Sequence, residues 1–237
     1  MKIELHKVTW YSKLIALIIF VVFPFVGFYW GIQYGETVQI AKQASLAAAN
    51  ATAYVLPEYY VNPGEWQTDQ STAGGFSIAY PIDFMTQDNF ASVPTSDWSL
   101  RSNGEAGVQY FVLTIPKAFE PQTNFDDATL VVGSSRTPAA IRDCTNPGII
   151  ANPGDATSTR MVNGTAFSVY HFTGAGAGNY YETTSYHTLH AGQCYSIGYT
   201  IHSGQIANYP SSYNLHQFND VEVSGVLERI INTFTFL

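Results

Sequence analysis

Apolar and polar positions follow three different rules along this chain. In residues 14–32, LIALIIFVVFPFVGFYWGI, nineteen uncharged positions follow one another. As a helix rising about 1.5 Å per residue, the run is long enough to match a hydrocarbon core of ~30 Å, which predicts one N-terminal transmembrane helix. Lys2, Lys7 and Lys13 precede it, with Trp10 and Tyr11 on one flank and Tyr29, Trp30 and Tyr34 on the other. The basic bias and the interfacial aromatics place residues 1–13 in the cytoplasm, with the helix as the contact to the membrane. Pro24 is tolerable in such a span as a kink. A cleaved signal peptide is the alternative, but its apolar region runs about 7 to 15 residues with a small-residue site close behind, and here Ala47 and Ala51 lie well past Ile32.

Residues 33–53 are rich in Ala, Gln and Thr without an apolar stripe, and predict a stalk. From residue 54 to 237 the rule becomes alternation. Phe76, Ile78 and Tyr80 share one face of a period-two segment that Pro81 ends. Residues 108–115, 128–133, 166–172, 180–189 and 195–202 are likewise enriched in β-branched and aromatic residues and bounded by Gly, Asn or Pro. Six such strands with short turns predict an antiparallel sheet with one apolar face.

The third rule is helical. Val223, Val226, Leu227, Ile230, Ile231 and Phe234 recur at the spacing of an amphipathic helix, and Asn219 with Glu222 fits its start. A shorter helix is predicted over residues 138–144, capped by Thr137 with Pro138 at its first position. Helices packed on an antiparallel sheet define an α+β domain.

Composition narrows the function. Of 237 residues 46% are hydrophobic and only 12% charged, which excludes disorder and coiled coil. From residue 54 onward there are six basic against sixteen acidic residues, so a nucleic-acid partner is excluded for want of a cationic face. If the anchor exports the domain, Cys144 and Cys194, the two cysteines of the chain, are expected to form one disulfide. Two free thiols, or a catalytic Cys194, are the alternatives.

The segments Gly75-Phe76-Ser-Ile-Ala-Tyr80-Pro81-Ile-Asp83-Phe and Leu227-Glu-Arg-Ile-Ile-Asn-Thr233-Phe234-Thr-Phe236 resemble the two ends of PsbP-like domains. That resemblance implies an α/β/α sandwich and an accessory or scaffolding role without catalysis. The middle of the chain, from Gly174-Ala-Gly-Ala-Gly178 through Cys194-Tyr195 to Ile201-His202-Ser203, is similar to uncharacterised single-pass proteins of genome-reduced bacteria.

Candidate chemistry is sparse. Gly174-Ala-Gly-Ala-Gly178 lacks the Lys and Ser/Thr of a phosphate loop and reads as a hairpin connection. His187 and His190, three apart on a strand, point to opposite faces, which argues against a shared metal; His171 and His202 could approach them through cross-strand pairing, and a site combining two of these histidines with Glu182 is the arrangement left for one. Asp126-Asp127 lacks the remainder of a calcium loop. Sixteen tyrosines exceed what a core requires, and Tyr180, Tyr181 and Tyr186 with His187 and His190 are the candidate interaction surface. The sequence therefore predicts a membrane-anchored, extracytoplasmic binding or scaffolding domain without cofactor, metal or catalysis, its partner an envelope protein or a glycan. The alternative is an envelope hydrolase or metal-dependent enzyme using His187, His190 or His202.

Overall fold

The period-two segments become strands, and longer ones than the apolar pattern marks. The computed structural model describes residues 57–87, 93–100, 105–145 and 157–237, together with 10, 11, 13, 19, 20 and 22–26. The chain divides into two units, Met1–Tyr54 and Val55–Leu237. The second unit holds both sheets.

Its strands are β1 (Gln67–Ser71), β2 (Phe76–Tyr80), β3 (Met85–Gln87), β4 (Val93–Thr95), β5 (Gly107–Pro116), β6 (Phe125–Ser135), β7 (Thr157–Val162), β8 (Thr165–Gly176), β9 (Asn179–His190), β10 (Gln193–Gly204) and β11 (Thr235–Phe236). Its helices are α1 (Glu58–Val61), α2 (Pro138–Asp143) and α3 (Asp220–Thr233). An eight-stranded sheet runs β3-β5-β6-β10-β9-β8-β7, with β4 also paired to β5, and a three-stranded sheet runs β1-β2-β11. All their pairings are antiparallel. Two-residue turns at Asn163-Gly164, Ala177-Gly178 and Ala191-Gly192 join β7 through β10, both residues of each at positive φ. That is the turn whose twist matches two antiparallel strands.

Alternation in β10 sends Ile197, Tyr199 and Ile201 to one face, where they meet Leu130 and Val132 of β6 and Leu113 and Ile115 of β5. The helical stripe Val223, Val226, Leu227, Ile230 and Ile231 of α3 closes over this face together with Phe76 and Ile78 of β2. Each such side chain contributes roughly 1.5–3 kcal/mol by leaving water. The end of α3 is tied to β2 by Thr233, whose hydroxyl accepts from the Ala79 N–H at 2.8 Å. At its start the Asn219 amide donates to the Glu222 carboxylate at 3.2 Å, without a side-chain cap on the backbone. Thr137 does cap α2, accepting from Ala140 N–H at 3.2 Å. Cys144, which follows α2, is bonded to Cys194 at the start of β10. Closing that 50-residue separation stabilises the fold by about 4 kcal/mol in the chain-entropy picture.

Two expectations are corrected. The fold is mainly β rather than α+β, and it is not the α/β/α sandwich that the PsbP-like resemblance implies. The apolar pattern undercounts strands because β1 (QTDQS) and β7 (TSTRMV) carry little apolar alternation. Polar strands of this kind are specified by pairing rather than by burial. The single-pass membrane localisation is corrected as well. Among the described residues no helix is long and apolar enough to cross a membrane. The described helical part of 14–32 is residues 19, 20 and 22–26, interrupted in its backbone donors by Pro24, and the rest lies outside the described residues, as does the stalk.

Candidate functional site

The face of the large sheet opposite α3 is assembled from the other half of each alternation, and its two ends differ. At one end the backbone after β4 crosses the sheet. A Cβ built on Gly133 of β6 would lie 2.2 Å from the carbonyl oxygen of Trp98, so only glycine admits this approach. Trp98, Ala140 and the Cys144–Cys194 bridge form a second, small core there. His187 of β9 lies beneath it, fully buried, with Nε2 2.7 Å from Ser185 Oγ and Nδ1 3.9 Å from Cys194 Sγ.

At the other end the cover is thinner: Thr114, Thr129 and Thr200 are half-buried and Thr183 is buried, while Tyr181 beside them is exposed. Register places Thr114, Thr129, Thr200 and Thr183 side by side on β5, β6, β10 and β9, with Phe172 of β8 closing the row. The Thr183 and Thr200 hydroxyls are 2.8 Å apart. The next row holds Asp127, His202, Tyr181 and Gly174. The Tyr181 and His202 rings stack at 4.7 Å, only 8° from parallel. Asp127 Oδ2 at 3.1 Å from Nδ1 and Asn179 Oδ1 at 2.9 Å from Nε2 fix the His202 ring. Gly174 of β8 stands opposite Tyr181, and a Cβ built on it would lie 3.9 Å from the Tyr181 Cβ. Tyr181 is 39% exposed. The glycine-rich segment is thus the β8–β9 hairpin, and its Gly174 puts no side chain beside Tyr181 on β8.

The other residues singled out by sequence are dispersed. Tyr180, exposed, alternates to the opposite face from Tyr181. Tyr186 is buried under α3, donating to Glu228 at 2.6 and 2.7 Å. His190 stacks on Phe236 of the small sheet at 3.7 Å, on the side away from His187. His171 pairs with Thr184 at 3.0 Å. So the five-residue interaction surface is not one surface, and His187, His190 and His202 are not one centre; Tyr181 alone of the five lies on the open end.

Sequence reasoning missed the acidic groups on the α3 side. Glu228 accepts from Tyr199 at 2.9 Å as well as from Tyr186, and Arg160 of β7 pairs with it. Burial first, and then Glu228, pushes both tyrosine hydroxyls well above the usual phenol range. The Glu120 carboxyl is pushed up to about 7 by burial and then by Glu222, itself raised by burial. A charged residue inside an apolar stripe, as Glu222 and Glu228 are in α3, was the signal available. No protein-family model matches the chain, and no curated protein matches it.

Proposed function

We propose that this domain is a non-catalytic binding module whose ligand is an uncharged glycan, seated on the open end of the large sheet. The observation that carries the reading is the threonine row abutting the Tyr181–His202 stack. Hydroxyls both donate and accept, as sugar hydroxyls do, and an exposed aromatic ring offers apolar contact to the C–H face of a pyranose. The exposed apolar side chain of these rows, Met85 of β3 beside Thr114, stands at the edge of the sheet and not at the centre, where a protein interface buries its apolar anchors. Asp126 and Asp127 at the margin, in a chain of net charge −8, disfavour anionic sugars.

Calorimetry of the full chain with hexamers of N-acetylglucosamine and of glucose tests this. One of them is expected to bind, and Tyr181→Ala is expected to weaken it at least ten-fold while changing stability by no more than about 0.5 kcal/mol, as for other exposed positions. Absence of binding to either hexamer, or equal binding by the variant, would refute it.

A further inference from the structure

The covered end of the same face contains a different chemistry. Sγ of Cys144, Sγ of Cys194 and a ring nitrogen of His187 lie within 4.8 Å of one another, and all three residues are buried. We propose that reduction of the Cys144–Cys194 bond converts this junction into a Zn²⁺ site, with the two thiolates and His187 Nδ1 as ligands. The helix α2 would then be pinned to the sheet by a metal instead of a disulfide.

Geometry supports the donor set. With Zn–S of about 2.3 Å and Zn–N of about 2.0 Å, a nitrogen and a sulfur on one zinc stand roughly 3.5–3.8 Å apart. The His187 Nδ1 to Cys194 Sγ distance is already 3.9 Å. The sulfurs must separate, and they come from two different elements, the end of α2 and the start of β10. Ser185 completes the arrangement. Its hydroxyl lies 2.7 Å from Nε2 and can accept the Nε2–H of the tautomer that ligates through Nδ1, the usual support of a metal-bound imidazole.

Charge selects the ion. Two thiolates in a pocket walled by Trp98 and Ala140 are costly to bury alone, and a divalent thiophilic cation makes the cluster neutral where Cu⁺ would leave it anionic. Three protein ligands leave a fourth position for water. A dithiol reductant gives two electrons and two protons to the disulfide and closes to its own disulfide. Zn²⁺ binding then releases the two thiol protons to solvent.

The test uses the full chain, reduced by a dithiol under argon, freed of reductant, and titrated with Co²⁺ as the spectroscopic probe. One equivalent is expected to give sulfur-to-cobalt charge transfer and the intense visible bands of a four-coordinate ion, and Zn²⁺ should displace it. The oxidised protein should give neither. His187→Asn is expected to weaken Co²⁺ at least ten-fold, Ser185→Ala to weaken it less, and Cys144→Ser with Cys194→Ser to abolish the charge-transfer band. Circular dichroism reads the fold of each form. A reduced protein that takes up no cobalt, whether folded or not, would overturn the proposal. So would affinity unchanged in a folded His187→Asn or Ser185→Ala variant.

Discussion

On the α3 side of the eight-stranded sheet, Leu113, Ile115, Leu130, Val132 and Ile197 are all removed from water, and the polar groups admitted there are bonded into the packing, as Tyr186 and Tyr199 are to Glu228. On the opposite side the same strands, read one residue out of phase, present Thr114, Thr129, Thr183 and Thr200 beside Tyr181 and His202. One alternation thus yields two surfaces of different character. The first specifies the fold through volume and burial. The second places hydroxyls and one ring at fixed spacing on a rigid sheet, which is where a recognition surface is held most accurately.

That contrast can be broken most forcefully from the α3 side. Leu227, with no exposed surface, is expected to cost about 2–5 kcal/mol when replaced by Ala, read from urea unfolding. A loss comparable to that at exposed Tyr181 would mean the two sides are not energetically distinct.

A smaller effect comes from the ionisable groups enclosed on that side. Glu120 titrates at about 7 in the fold against an ordinary 4.5, so the fold prefers its protonated form. Its contribution is fully present below about pH 4.5 and is lost as pH rises toward about 7, with a slope of at most about 1.4 kcal/mol per pH unit. Glu120→Gln should flatten this stretch of the stability profile and make the protein more stable than its parent at pH 8. Urea unfolding of both proteins at pH 5 and pH 8 measures it, and parallel profiles would contradict the assignment.

Elements with a period were legible in the sequence; their combination was not. β2 follows the Phe76-to-Tyr80 alternation without adjustment, and α3 occupies the stripe from Val223 to Ile231. Cys144 and Cys194 are bonded as expected, although the count of two supported that pairing only together with the premise of an exported domain. The fold class was misjudged because strands such as β1 and β7 offer no apolar period, which tilted the balance toward helix. The threonine row was invisible for another reason. Its members come from four strands and become neighbours only through register, which a one-residue slip would reverse. Tyr180, Tyr181 and Tyr186 look like one cluster in sequence, yet Tyr181 alone faces the open end.

If the threonine row and the Tyr181 ring receive a glycan while the α3 side serves the fold, the two sides must respond differently to ligand. Methyl-labelled protein titrated with the hexasaccharide that calorimetry identifies tests this most directly. Shifts are expected at the Thr114, Thr129, Thr183 and Thr200 methyl groups, with those of Val226, Leu227 and Ile230 unmoved. Shifts confined to the α3 side, or spread evenly over both sides, would contradict the proposed surface.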